Sequence, residues 1–173
     1  MNIEDKFTDD GKGWIIFSDF DGTITKIDTL KFLLDNFGAA DWMEIEYKVK
    51  DGIMQEKEAL STEFSTLNVS WEEAIVNILN SIPIETGFRE FIKWSKDAGL
   101  EFIILSGGVI EIIEPLLKRE GLENLTIRAN RVEVSKGRWK LIPSQRPKIK
   151  NNCNHCKTNS IIEMKNAGRK RFS

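Results

Sequence analysis

The sequence predicts an α/β fold, a doubly wound parallel sheet with a small helical cap inserted after its first strand. Two short apolar runs, residues 14–18 and 100–105, indicate buried strands, because each leads into a glycine-containing turn and then a helical pattern. Between them, residues 28–80 show four successive helical patterns and no strand pattern. Four helices exceed what one strand-to-helix crossover needs. We therefore assign residues 28–80 to the cap and residues 1–27 and 81–173 to the core.

The individual elements follow from periodicity and from helix start and stop signals. Gly38 and Gly52 stop the first two cap helices, and Ser70-x-x-Glu73 is a capping-box pattern that opens the last one. Pro115 is expected to kink its helix or to begin a second one. The predicted elements are cap helices 28–37, 41–50, 55–66 and 71–80, helix 87–96, strand 101–105, helix 109–120, strands near Ile127 and at 131–134, a hairpin turn at 135–138 and strand 139–142.

Two carboxylates follow the first predicted strand. Asp19 and Asp21 are two residues apart, and residues i and i+2 of an extended chain project to the same side. Two carboxylates suit a phosphate ester only when a cation offsets their charge, and Mg²⁺ prefers oxygen ligands. The pattern predicts phosphoryl transfer, in which Asp19 attacks phosphorus while Asp21 protonates the leaving group and then activates water. Asp19 and the Asp21 carbonyl are the predicted ligands of Mg²⁺.

Three other interpretations compete for the same residues. A calcium loop that starts at Asp19 is excluded, because Ile24 stands where glycine is needed and Leu30 stands where a glutamate is needed. A turn with two chance acids remains open, but it does not explain the preceding strand. A phospho-acceptor aspartate that only signals remains open as well.

Two further segments supply what a phosphatase site needs to hold a phosphoryl group. Ser106 and Gly107 are expected at the tip of the second strand beside a helix N-terminus, where the hydroxyl and the amide can donate to an anion. Lys157 directly precedes a predicted helix, a position that suits a lysine only when the lysine and the helix face the same anion. An ordinary N-cap serine and a solvated lysine are the alternatives.

These residues carry a family resemblance. The segments Asp19-Phe20-Asp21-Gly22-Thr23, Ser106-Gly107-Gly108 and Lys157 resemble, in order, motifs one to three of the haloacid dehalogenase superfamily of aspartate-nucleophile phosphatases. The resemblance runs from about Trp14 to the last residue and implies that superfamily's Rossmann-like core. Residues 87–91 and 152–157 are most similar to the branch that contains 2-hydroxy-3-keto-5-methylthiopentenyl-1-phosphate phosphatase of methionine salvage. Phosphoserine phosphatase is a more distant relative.

The resemblance implies a magnesium-dependent phosphomonoester hydrolase that acts on a small phosphorylated metabolite. Its catalytic residues would be Asp19, Asp21 and Lys157, its phosphate-binding residues Ser106, Gly107 and Lys157, and its metal ligands Asp19 and Asp21. In the resembled subclass the cap covers the catalytic acids and selects the substrate. The aromatic cap residues are candidates to line that pocket, although such residues are more often core: Trp42, Tyr47 and Phe64. A phosphoserine phosphatase-like activity is an alternative.

One feature of the superfamily is missing. Its members carry a fourth motif, usually Gly-Asp-x-x-x-Asp, whose acids complete the magnesium site, and after Lys157 the only acid here is Glu163. Residues 169–173 resemble the start of the missing strand. We therefore expect this chain to be a piece of a longer protein and a weak catalyst by itself. A catalytically silent phosphate-binding fragment is the alternative from another class.

Composition supports a globular protein. A 173-residue chain with 40% hydrophobic residues can bury a core, and no segment approaches the roughly twenty apolar residues of a membrane span. The amino end has no signal-peptide pattern, so we expect a cytoplasmic protein.

From Lys136 onward the chain has eleven Lys or Arg and one acid, whereas the net charge of the whole chain is −2. These basic residues form no recognisable nucleic-acid motif, and nucleic-acid binding is not expected.

Cys153 and Cys156 form a Cys-x-x-Cys pair around His155, the only histidine of the chain. This is at most half a zinc site, because no second pair exists. We expect two reduced cysteines in the loop that presents Lys157.

Overall fold

The computed structural model describes residues 14–144, 157–166 and 171–172. Within these ranges, five strands form one sheet in the order β4-β3-β2-β1-β5, and helices lie between all consecutive strands except β3 and β4. The elements in chain order are β1 Trp14–Ser18, α1 Thr29–Phe37, α2 Met43–Lys50, α3 Glu56–Thr66, α4 Trp71–Ser81, α5 Phe88–Asp97, β2 Glu101–Val109, α6 Ile110–Arg119, β3 Thr126–Ser135, β4 Arg138–Ile142, α7 Lys157–Asn166 and β5 Arg171–Phe172.

The sheet is parallel except at one edge. β1 pairs with β2 and with β5 in parallel, β2 pairs with β3 in parallel, and β3 pairs with β4 in antiparallel orientation. Its central strand is almost wholly buried, with Ile103 and Ile104 both inaccessible to solvent. Continuous apolar runs of this kind are typical of strands covered on both faces. The predicted α/β class is confirmed, and residues 171–172 form a strand beside β1, as expected for the stretch 169–173.

Two strands are longer than the sequence predicted. β2 continues through Ser106 to Val109 instead of ending at Leu105, with an irregular register opposite β3 between Leu105 and Val109. The predicted separate strands near Ile127 and at 131–134 form the single strand β3. This strand stays continuous because it changes partner, pairing with β2 up to Asn130 and with β4 from there on. The predicted break between them was wrong.

The helices lie close to their predicted positions. Ser70 caps α4 as the sequence indicates, accepting a 3.2 Å hydrogen bond from the Glu73 amide, and Asp28 caps α1 by accepting a 2.8 Å hydrogen bond from the Lys31 amide. α6 is one helix with Pro115 inside it, and no second helix begins there. None of the helices in the described ranges has the length and apolar content needed to cross a membrane.

The two connections between the four cap helices and the sheet lie side by side. Thr25 and Ile84 form an antiparallel bridge, and the Lys26 amide donates a 3.0 Å hydrogen bond to the Pro83 carbonyl. The buried apolar cluster nevertheless runs without interruption from cap helix α3 to strand β2. The division of the chain into core and cap as separate units stays a prediction.

The β3–β4 hairpin packs against the cap. Trp139 of β4 is buried, donates a 2.9 Å hydrogen bond from Nε1 to the Val69 carbonyl and stacks on Phe64 at 6.3 Å between ring centroids. Phe64 is itself only 1% exposed. Phe64 is therefore a core residue and not a pocket residue, because β4 covers the face of α3 from which it projects.

Candidate active site

Asp19 lies at the carboxyl end of β1, directly after Ser18. Its Oδ1 accepts a 2.8 Å hydrogen bond from the Phe20 amide. The loop that follows closes on the Phe20 carbonyl, which accepts hydrogen bonds from the amide (3.0 Å) and the hydroxyl (3.3 Å) of Thr25. Gly22 has a φ of 68°, a region that favours glycine. This loop holds the Asp19 carboxylate at the strand end, with 40% of its side chain exposed.

Lys157 meets Asp19 from the other end of the chain. Its Nζ donates a hydrogen bond to Asp19 Oδ2 and forms an ion pair with that carboxylate. Lys157 is the first residue of α7 and does not precede the helix as predicted. A positive charge at a helix N-terminus is unfavourable, and the carboxylate offsets that cost. The predicted pairing of these two residues is present in the structure.

Asp21 occupies a more buried position than Asp19. The Thr29 amide, at the start of α1, donates a 2.8 Å hydrogen bond to Asp21 Oδ1. Burial, followed by the negative charge of Asp28, raises the pKa of Asp21 to about 6, against the lowering effect of hydrogen bonds from Thr29. A carboxyl group with this pKa can hold a proton near neutral pH and release it, as general acid–base catalysis requires.

Ser106 and Asp21 lie on two sides of Gly108. The Gly108 amide donates a 2.9 Å hydrogen bond to Ser106 Oγ, which leaves the hydroxyl proton available to another acceptor. A Cβ at Gly108 would lie 2.9 Å from Asp21 Oδ2 and 3.1 Å from Ser106 Oγ, so only glycine fits between them. Ser106 is not at a strand tip as predicted, because β2 continues to Val109, and α6 begins at Ile110, one residue after its predicted start. Ser106 is fully buried within β2.

Sequence reasoning missed Asn130. Its Nδ2 donates a 2.7 Å hydrogen bond to the Gly107 carbonyl, and its Oδ1 accepts a 3.1 Å hydrogen bond from the Ser144 amide. Asn130 has no exposed surface, although it stands in the middle of strand β3. A polar residue at an inward-facing strand position was the signal in the sequence, since buried amides need partners. Through these two hydrogen bonds, Asn130 connects the Gly107 carbonyl to Ser144, which follows β4.

Asp19 and Asp21 supply some of the oxygen ligands that a magnesium ion takes in such sites. Asp19 supplies a carboxylate, and the Asp21 main-chain carbonyl is the second predicted oxygen ligand. Mg²⁺ in phosphoryl-transfer sites often takes one or two carboxylates and completes its shell with water and phosphate oxygens. Among the described residues, no group of three or more His, Cys, Asp or Glu side chains converges on one point.

Several predicted features lie outside the described residues. They are the Cys153–Cys156 pair with His155 and most of the basic residues that follow Lys140. The described part of the chain therefore brings Asp19, Asp21, Ser106 and Lys157 together, and it adds Gly108 and Asn130 as their supports.

Comparison with known proteins agrees with this geometry. Residues 16–153 match the haloacid dehalogenase-like hydrolase family, which confirms the resemblance drawn from the motifs. The chain is 28% identical over 155 residues to the 2-hydroxy-3-keto-5-methylthiopentenyl-1-phosphate phosphatase of Brevibacillus brevis, covering 87% of this chain and 69% of that protein. It is 28% identical over 137 residues to the polyol phosphate phosphatase of Saccharomyces cerevisiae, covering 74% of this chain and 56% of that protein.

A solved structure shows the same fold. A phosphoserine phosphatase with a phospho-aspartyl intermediate analogue superposes with a TM-score of 0.58 and 25% identity, covering 73% of this chain and 60% of that one. The chain spans only part of the length of its curated relatives. It covers 69% of the Brevibacillus brevis protein, 56% of the Saccharomyces cerevisiae protein and 48% of a further 2-hydroxy-3-keto-5-methylthiopentenyl-1-phosphate phosphatase, from Bacillus mycoides.

Proposed function

Because the chain belongs to the haloacid dehalogenase-like hydrolase family, we propose that it supplies the active site of a hydrolase of small phosphomonoesters. The observation that carries this proposal is the meeting of Asp19, Asp21, Ser106 and Lys157 at one edge of the sheet. These residues come from three distant segments of the chain, and ligands of parallel α/β sheets bind at the carboxyl ends of the strands.

Asp19 is the nucleophile of the proposed reaction. One of its carboxylate oxygens attacks phosphorus, the bond from phosphorus to the ester oxygen breaks, and an aspartyl-phosphate forms. Lys157 holds the Asp19 carboxylate in place and offsets the negative charge that the phosphoryl group brings. Ser106 and Gly107 donate hydrogen bonds to the phosphoryl oxygens.

Asp21 is the general acid and the general base of the proposed reaction. In its protonated form it donates to the ester oxygen as that oxygen leaves, and the resulting carboxylate then takes a proton from the water that attacks the aspartyl-phosphate. The pKa of about 6 supports this double role, because both forms are populated near neutral pH. Mg²⁺, held by Asp19 and the Asp21 carbonyl, would lower the charge repulsion between the acids and the phosphate when bound.

The names of the relatives suggest candidate substrates. The Brevibacillus brevis relative is named for 2-hydroxy-3-keto-5-methylthiopentenyl-1-phosphate, which supports the methionine-salvage role expected from the resemblance, and the Saccharomyces cerevisiae relative is named for polyol phosphates. A phosphoserine phosphatase-like activity is the alternative suggested by the solved structure. A cytoplasmic location and the absence of nucleic-acid binding, both expected from the sequence, stay predictions.

The decisive experiment replaces the nucleophile. Asp19→Asn keeps the shape of the side chain and removes the attacking oxygen anion, so we expect phosphatase activity on p-nitrophenyl phosphate with Mg²⁺ to fall at least about a thousandfold. Asp41→Asn, an exposed cap residue, is the control and should keep full activity. Substantial turnover by Asp19→Asn would exclude the covalent route. An unmodified protein that binds inorganic phosphate without turnover would instead support a catalytically silent binding fragment.

A further inference from the structure

A cavity of about 440 Å³ lies among the cap helices α1, α2 and α3. Its apolar side is formed by aromatic and aliphatic side chains, among them Trp42, Tyr47 and Leu60. Two of the three aromatic residues that the sequence marked as pocket candidates, Trp42 and Tyr47, therefore do line a cavity. Its volume is within the range of small-molecule sites.

The cavity adjoins the proposed catalytic site. Asp28 lines the cavity, and the next residue, Thr29, donates its amide to Asp21 Oδ1. The charge of Asp28 reaches Asp21 on one side and Glu63 on the other. An ester whose leaving oxygen lies at Asp21 thus extends its organic part toward the cavity.

The polar side of the cavity consists mainly of acids. Glu63 is only 5% exposed, lines the cavity and shares a hydrogen bond with Glu46. Burial, then the charge of Glu46, their hydrogen bond and the charge of Asp28 raise the pKa of Glu63 to about 7. No Lys or Arg of the described residues lies within ion-pair distance of Glu63. Glu63 is thus a buried carboxyl group of the cavity lining that has no cation beside it among the described residues.

The one lysine of the cavity is already engaged. Lys31 Nζ lies 2.8 Å from Asp35 Oδ2 and 5.1 Å from the centre of the Trp42 ring. Three acids of the cavity lining, Asp28, Glu46 and Glu63, therefore outnumber this lysine, which already has a carboxylate partner outside the cavity.

We propose that this cavity binds the leaving group of the ester and selects an uncharged, hydroxyl-bearing group over one that carries a carboxylate. Hydroxyl groups can donate hydrogen bonds to the carboxylates of Asp28, Glu46 and Glu63, and a hydroxyl oxygen can accept a hydrogen bond from a protonated glutamate. A carboxylate would face three acids and one lysine that already pairs with Asp35, and like charges in close contact are costly. The aromatic side chains of the cavity, Trp42 and Tyr47, cover the carbon skeleton of the bound leaving group. This inference rests on the proposed function and disfavours phosphoserine.

The test compares two esters of equal length that differ at one carbon. Glycerol 3-phosphate ends in a hydroxymethyl group, and 3-phosphoglycerate ends in a carboxylate. Their binding to the Asp19→Asn protein is measured by titration calorimetry in the presence of Mg²⁺, since this variant holds an ester without cleaving it. We expect glycerol 3-phosphate to bind at least about tenfold more tightly than 3-phosphoglycerate.

A double substitution assigns this preference to the cavity. Glu46→Gln with Glu63→Gln, added to Asp19→Asn, keeps the size of both side chains and removes their charge, and it should reduce the preference to below about threefold. Glu44→Gln with Glu58→Gln changes exposed residues of the same two helices and should leave the preference unchanged.

Each outcome decides between the two ideas. Equal binding of the two esters, tighter binding of 3-phosphoglycerate, or a preference that survives loss of both glutamates overturns the cavity assignment and leaves the phosphatase proposal intact. If neither ester nor inorganic phosphate binds, the proposed function fails and the cavity assignment fails with it.

Discussion

Lys157 Nζ donates a hydrogen bond to Asp19 Oδ2, although 138 residues separate the two along the chain. Both side chains remain substantially exposed, at 44% and 40%. An ion pair in such a position contributes at most about 1 kcal/mol to folding stability. We therefore infer that this contact holds the positive charge of Lys157 at the end of β1 and adds little to stability.

Replacing Lys157 should separate these two roles. We expect Lys157→Met to lower phosphatase kcat/KM by about a hundredfold, because the charge that offsets the phosphoryl group is lost. The melting temperature should stay nearly unchanged, because the ion pair is exposed. Steady-state kinetics and thermal unfolding of the same preparation check both parts. Lys140→Met, an exposed lysine of β4, is the matched control, and equal activity loss in the two variants contradicts the assignment.

Gly108 should tolerate no side chain. In Gly108→Ala the new Cβ would lie 2.9 Å from Asp21 Oδ2, so the carboxyl group must move. A small displacement of a catalytic group costs roughly tenfold to a hundredfold in rate, and we expect kcat to fall by that amount. Asp41→Asn, an exposed cap residue, is the control and should keep its kcat. Unaltered kcat in Gly108→Ala shows that Asp21 is not held as tightly as the structure indicates.

Asn130 should position the Gly107 peptide. Asn130→Ala removes both of its hydrogen bonds from a buried site and is expected to destabilise the fold by about 1–3 kcal/mol. Asn130→Asp keeps an acceptor for the Ser144 amide and removes the donor to the Gly107 carbonyl. If Asn130 acts through Gly107, Asn130→Asp raises KM for phosphate esters even where the protein remains folded. A variant that loses stability but keeps its KM assigns Asn130 a structural role alone.

Glu63 should make stability fall as the pH rises. Its pKa is about 7 in the folded protein against an ordinary value of 4.5, so between these values the folded state binds more protons than the unfolded state. The free energy of unfolding therefore decreases across this window, by roughly 2 kcal/mol from about pH 5 to about pH 8. Urea unfolding across this pH range measures the slope.

Glu63→Gln removes the group that titrates. We expect its stability to depend less on pH than that of the unmodified protein and to exceed it above about pH 7. Glu58→Gln, an exposed position of the same helix, should retain the original pH dependence. A slope that is unchanged in Glu63→Gln places the titrating group elsewhere.

The sequence by itself determined the local features. The spacing of Asp19 and Asp21 after an apolar strand predicted a pair of acids for one ligand, because neighbours in the chain fix which way each side chain projects. The four cap helices and the cap at Ser70 followed from residue patterns within single segments. The family and the α/β class followed from the order of such local motifs.

The contacts between segments that are distant in the sequence were decided only by the tertiary structure. Residue patterns marked Lys157 and Ser106 as candidates, but their placement against Asp19 and Asp21 depends on strand order and register. The extension of β2 to Val109 and the role of Asn130 depend on pairing with β3, which no pattern within either strand specifies. The acid-lined cavity at Glu63 exists because three helices meet there. Contacts of this kind arise from packing between segments, and a local pattern encodes only the faces that each segment offers for packing.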